Sequence, residues 1–167
     1  MIRLRLSVLL AILQFLYLFD TVPLHGQQTK NASYLEIGTN IGVTTGSVSI
    51  ERHFFSNKKE KLHLYARLGF GYLHTFYFSP SGPGAKLGVS LLAGKRKHYF
   101  ETELGLMGGR HIQLNEDRNY LGPMFSLGYR YQPPQSGFLF KAFAGILGVG
   151  IGVGYTWSKV KKEVRNK

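Results

Sequence analysis

The chain has 167 residues, with 21 Lys+Arg against 9 Asp+Glu for a formal charge of +12, and no cysteine. Its length is that of one domain, and without cysteine it has no disulfide framework, thiolate metal site, cysteine nucleophile or lipoprotein-type lipid anchor. Glycine at 21 residues and aromatics at 14%, with a mean hydropathy of -0.08, point to a β-rich chain with one apolar face rather than to a helical membrane protein.

The first element is "MIRLRLSVLLAILQFLYLF", in which Arg3 and Arg5 precede an apolar run from Leu6 to Phe19, followed by the polar "DTVPLHGQQ". That is the order of a secretory signal. Fourteen residues from Leu6 to Phe19 are short for a bilayer span, which needs about 20. Cleavage is expected near Gly26–Gln27, so residues 1–26 are a signal peptide and 27–33 a periplasmic lead-in.

From Tyr34 onward apolar residues alternate with polar ones or glycine, the period-two signature of strands with two unlike faces. In "YLEIGTNIGV", Leu35, Ile37, Thr39, Ile41 and Val43 oppose Glu36, Gly38, Asn40 and Gly42. "SVSIERHF" sets Val48, Ile50 and Phe54 against Ser49, Glu51 and His53. "KLHLYARLGFGY" sets Leu64, Leu68 and Phe70 against Tyr65, Arg67 and Gly69, and "KLGVSLLAGK" sets Leu87, Val89 and Leu91 against Gly88 and Ser90. "HYFETELGLMG" opposes Phe100, Leu104 and Leu106 to Glu101, Glu103 and Gly105. "YLGPMFSLGYRY" opposes Phe125, Leu127 and Tyr129 to Ser126, Gly128 and Arg130. Pro123, which removes a ladder donor, is expected near that strand's start or at a bulge. "GFLFKAFAG" places Phe138, Phe140, Ala142 and Ala144 opposite Lys141.

The eighth segment, "GVGIGVGYTW", has glycine at every second position. It lacks the G-x-G-x-x-G spacing of a phosphate loop. Its G-x-x-x-G pairs would suit a membrane helix, but each interior glycine costs a helix roughly 0.8–1 kcal/mol. A strand with Val149, Ile151, Val153, Tyr155 and Trp157 on one face fits better.

Eight such strands fit an all-β, eight-stranded antiparallel up-and-down transmembrane β-barrel over residues 34–157, followed by a basic tail, 158–167. The small bore of such a barrel has room only for side chains. The glycine-rich face belongs inside, with Glu36, Glu51, Arg67, Glu101, Glu103, Arg130 and Lys141 forming a structural network that plugs the lumen. Aromatics fall at both strand ends, as interface girdles do. Phe54, Tyr129, Tyr131, Phe138, Tyr155 and Trp157 lie at one end, and Tyr72, Phe76, Tyr77, Phe78 and Tyr120 at the other.

These patterns, with "SIERHF", "LLAGKRKHYFETELGL" and "GYRYQPPQSGFLFKAFAG", resemble the small OmpA/OmpX-like outer-membrane barrels over about Tyr34 to Trp157. The resemblance implies an integral protein of a Gram-negative outer membrane with both mature termini in the periplasm. "FSNKKEK", "GKRKH" and "QPPQSG" are then periplasmic turns, and "VTTGS", "FYFSPSGPGAK", "GGRHIQLNEDRNY" and "GILG" outer loops. It implies outer-membrane lipids as partners, together with the assembly machinery that reads a terminal strand ending in an aromatic, although ten residues follow Trp157. The implied role is structural or an interaction in the cell envelope.

Some barrels of this size are lipid A deacylases or acyltransferases that use serine and histidine near the outer rim. An enzyme of that type could draw on His74, Ser79, Ser81, His111, Glu116 and Asp117. A hydrolase needs serine, base and acid within hydrogen-bond reach, and no spacing fixes these six together. No cofactor is implied, and no histidine pair has metal spacing; His98 with nearby acids comes nearest. An exported chain with no base-reading or stacking motif is not a nucleic-acid binder.

Overall fold

A computed structural model describes residues 30–57, 61–75, 81–112, 117–133 and 137–158. The expected signal peptide and the tail beyond Ser158 lie outside them.

The strands are β1 (Lys30–Thr39), β2 (Val43–Ser56), β3 (Leu62–Thr75), β4 (Gly82–Lys95), β5 (His98–Ile112), β6 (Asp117–Tyr131), β7 (Gly137–Gly145) and β8 (Gly148–Ser158). Each pairs antiparallel with its neighbours in chain order, and β8 closes on β1 from Lys30↔Ser158 to Thr39↔Val149. Full closure leaves no outer strand to template aggregation. The period-two pattern decides the faces. Leu35, Ile37, Val48, Phe70, Leu87, Leu104, Leu106, Phe125, Ile151 and Val153 are exposed on the outer wall, while Tyr34, Glu36, Glu51, Tyr65, Arg67, Glu101, Glu103, Arg130 and Lys141 are buried in the bore.

Several boundaries differ from the sequence reading. The wall begins at Lys30 rather than Tyr34 and ends at Ser158, so residues 30–33 of the expected lead-in belong to β1. The strand expected to run on to Val43 stops at Thr39. There the Asn40 side chain accepts a 3.0 Å hydrogen bond from the Gly42 amide, while the Asn40 amide donates to the Val43 carbonyl at 2.9 Å. An Asn side chain bonding the backbone two residues on makes a turn.

"VTTGS" is the start of β2, and the segment from Gly82 to Lys86 is the start of β4. Much of "GGRHIQLNEDRNY" is wall as well, with Arg110↔Asn119 and His111↔Arg118 in register. Backbone pairing continues past the apolar stretch because the ladder uses main-chain groups whatever the side chains are. At the other end a bulge between His53 and Phe55 leaves both Phe54 and Phe55 exposed.

Pro123 sits mid-strand in β6, opposite Leu106, not at the start and not at a bulge. The reason lies in the unequal height of the wall. The β6–β7 ladder runs only from Tyr131↔Phe140 to Ser126↔Gly145, because the chain turns at Ile146–Leu147 into β8. The Phe125 carbonyl points toward β7, accepting from the Ile146 amide at 3.1 Å. Pro123, two residues away, points its nitrogen to the same side. Among the described residues no strand lies opposite it there, so the missing donor removes no ladder bond.

Candidate functional site

The bore is occupied by a charge cluster assembled from seven strands. Arg67 of β3 forms ion pairs with Glu36 of β1 and Glu103 of β5. Arg130 of β6 reaches Glu51 of β2 at 2.6 Å and Glu101 of β5 at 3.2 Å. Lys141 of β7 lies 3.1 Å from Glu36, 3.1 Å from Glu101 and 3.7 Å from Glu103. The structure thus brings together all seven charged residues assigned to the lumen, and Arg130 and Lys141 are fully buried.

The network has an eighth member that the sequence reading left in an outer loop. Lys86 of β4 pairs with Glu36, which brings the cluster to four carboxylates and four cations. The signal was present: Lys86 shares strand parity with Gly88 and Ser90, both inward. Balance matters because a buried charge without a partner is expensive, whereas a paired and hydrogen-bonded one is tolerated.

Hydroxyls complete the cluster. Ser47 donates to Glu36 at 3.3 Å, Ser90 to Glu51 at 3.1 Å and Ser126 to Glu103 at 3.2 Å. Arg67 donates to Ser49 at 3.1 Å, and Tyr34 donates to Glu51. The Tyr34 ring stands among the cations, with Lys141 Nζ at 5.1 Å, Arg67 at 5.2 Å and Arg130 at 5.7 Å from its centre. Such placement over an aromatic face is attractive for a desolvated cation.

The glycines of the inner face make room for these side chains. A methyl group on Gly152 would stand 2.8 Å from Lys141 Cγ and 3.1 Å from Glu36 Cγ. On Gly69 it would stand 2.7 Å from both Lys86 Cε and Ser49 Oγ. Along β8 the neighbouring strands fill the space the glycines leave: Lys141 and Glu36 at Gly152, the Phe143 ring at Gly150 and Tyr34 at Gly154.

At the turn end near Asn57 the bore holds a polar cluster that sequence reasoning missed. The Ser56 hydroxyl lies 2.7 Å from His53 Nε2 and 2.6 Å from His63 Nδ1. One hydroxyl proton serves one imidazole, while the oxygen accepts from the other, so the three groups fix each other's orientation. Nearby, Gln132 donates to the Tyr65 hydroxyl at 3.0 Å. The inward parity of His53 and His63 was legible, but their meeting through Ser56 depends on the β2 bulge.

The outer-rim enzyme candidates do not form a described site. His74 is exposed near the end of β3, and Ser81 immediately precedes β4. His111 and Asp117 lie at the facing ends of β5 and β6, whose side chains there are outside the described residues, as are Ser79 and Glu116. His98 contacts the Tyr129 hydroxyl at 2.6 Å rather than an acid. Among the described residues no group of three metal-ligating side chains comes together.

The girdle at the Trp157 end is outward as expected, with Phe54, Tyr129, Phe138, Tyr155 and Trp157 exposed. At the other end Tyr72 is outward, but Tyr120 turns into the bore, its hydroxyl beside the inner faces of Gly84 and Gly109. Phe76, Tyr77 and Phe78 lie outside the described residues.

No protein-family model matches the chain, and no curated protein sequence does. Among solved structures it is similar to the N-terminal β-barrel domain of Pseudomonas aeruginosa OprF, with a TM-score of 0.50 and 15% identity over 78% of this chain and 97% of that one. The fold is that of the OmpA-like barrels. In this barrel the outer wall is apolar and the bore ionic, the reverse of a soluble barrel.

Proposed function

We propose that the chain is an integral outer-membrane β-barrel protein of a Gram-negative cell, with both mature ends in the periplasm. Its role is structural or an interaction within the envelope, and its lumen is plugged by the eight-residue charge network. The observation that carries this reading is the inverted polarity of a closed barrel. Leu35, Ile37, Leu104 and Ile151 are each more than half exposed, while Arg67, Arg130 and Lys141 are at most 1% exposed. In water that arrangement forgoes about 25 cal/mol per Å² of apolar burial; in a bilayer the outer face is satisfied by acyl chains and every backbone group by the closed ladder. Lipids are therefore its direct partners, and the aromatic end of β8 suits the assembly machinery.

Membrane fractionation tests the reading. The expressed protein is expected in the outer membrane, resisting carbonate extraction and shifting in gel mobility on heating. Recovery as a soluble periplasmic protein would overturn it.

A further inference from the structure

The β4–β5 hairpin carries four basic residues in succession, Lys95, Arg96, Lys97 and His98, and all four are exposed. Lys95 pairs with His98, so the loop itself is only Arg96 and Lys97. Arg96 stands at φ 63°, in the left-handed region, which two-residue hairpin loops ordinarily give to glycine or asparagine. The loop is tied from two sides. The buried Tyr99 donates its hydroxyl proton to the Arg96 carbonyl at 3.0 Å, and the Gln132 amide donates to the Lys97 carbonyl at 2.9 Å. An arginine held in a disfavoured backbone conformation by the bonds around it points to a use for its side chain.

Register sets what lies beside the loop. Lys95, His98 and Tyr131 are successive partners across β4, β5 and β6 and form one outward row. Directly opposed residues of this kind have Cβ atoms about 4.5–5.5 Å apart. His98 is fixed within the row, its Nδ1 2.6 Å from the Tyr129 hydroxyl and its ring centre 5.6 Å from that of Tyr131. The next row toward the middle of the wall is Leu62, Ala93, Phe100 and Tyr129. Ala93, its smallest member, stands directly above Lys95, between the exposed Leu62 and Phe100. Among the described residues no carboxylate stands at this rim. Glu36, Glu51, Glu101 and Glu103 lie in the bore, and Asp117 is at the opposite end of the wall.

We propose that the row is a binding site for one anionic phospholipid of the leaflet at the Trp157 end. The phosphate meets Lys95 and His98, with Arg96 and Lys97 beside it from the loop, and an acyl chain rises over Ala93 between Leu62 and Phe100. Cationic side chains hold phosphate by charge-assisted hydrogen bonds, stronger than neutral ones. Aromatic girdles lie at headgroup depth, which puts a row containing Tyr131 and bonded to Tyr129 level with phosphates rather than hydrocarbon. Basic charge with no described acid beside it complements an acidic headgroup. The apolar row immediately above complements a chain attached to that headgroup, a match that a soluble acidic partner would leave unused.

The inference rests on the bilayer reading above, and the experiment separates the two. The full mature chain is placed in phosphatidylcholine nanodiscs with a rising fraction of phosphatidylglycerol, and backbone amide shifts are recorded. Shifts at Arg96, Lys97 and His98 that saturate are expected, while Gly109 and Arg110 at the far end of β5 stay unmoved. Lys95→Gln is expected to raise the half-saturating fraction about tenfold, as the loss of one charged hydrogen bond does. Lys61→Gln, an exposed change at the same rim but outside the row, should raise it far less. Shifts that grow in proportion to phosphatidylglycerol without saturating, or equal effects of the two lysine changes, would mean diffuse rim charge and overturn the site. The single tryptophan, Trp157, gives the separate readout and shows that each variant is inserted. Its fluorescence should be quenched by phosphatidylcholine brominated near the headgroup. Quenching without saturable shifts would overturn the site alone; absence of quenching in the unaltered protein would overturn the bilayer reading, and the site with it.

Discussion

Arg130 is fully buried, holds two carboxylates and lies 5.3 Å from the Tyr65 ring centre. Truncating one partner of a buried pair leaves the others uncompensated, typically at a cost of about 3–5 kcal/mol. Arg130→Ala is therefore expected to lower the denaturant midpoint of the folded barrel far more than Lys97→Ala, an exposed change in the β4–β5 turn whose effect should be small. Equal midpoints would mean the bore charges are solvated. The glycines give a companion test. Gly152→Ala places a methyl against Lys141 and Glu36, and crowding a packed interior typically costs about 1–3 kcal/mol. Gly46→Ala, with open space around it, is expected to leave the midpoint near its starting value.

At the scale of the strand, Pro123 and Leu127 differ only in what lies beside them. Both point their nitrogens toward β7, but Leu127 faces Ala144 in the ladder and Pro123 faces no described strand. Pro123→Ala is expected to change stability by less than about 0.5 kcal/mol, as ordinary substitutions away from structural features do. Leu127→Pro should cost about 1–3 kcal/mol by leaving a ladder acceptor unpaired. The outer face of β8 is tested by Val153→Arg, which should cost roughly 2–4 kcal/mol if that site lies near the bilayer midplane. Tolerance of arginine there would mean this face meets water.

For the whole barrel, the proposed plug is the network of four carboxylates and four cations in the narrow bore. Planar-bilayer recording is expected to show no steady large conductance from the unaltered protein; a stable open channel would contradict the plug. If the role is the structural one proposed, lipid A mass spectrometry with and without expression should give the same species. A shortened or extended acyl pattern would show that the outer rim carries chemistry.

Alternation with period two is a property of the local backbone, so the sequence alone determined which residues face outward and which the bore. It likewise placed Glu36, Glu51, Arg67, Glu101, Glu103, Arg130 and Lys141 on the inner face. Which acid meets which base depends on register and closure, since Arg130 of β6 reaches Glu51 of β2 across the lumen, a relation between residues far apart in the chain. Lys86 was missed because the glycine- and proline-rich stretch before it has the composition of a loop, while pairing with β3 and β5 extends the strand through it. The tolerance of Pro123 was likewise a tertiary decision. It follows from the early turn of β7 into β8, because the space beside a strand is set by its neighbour's length and not by its own sequence.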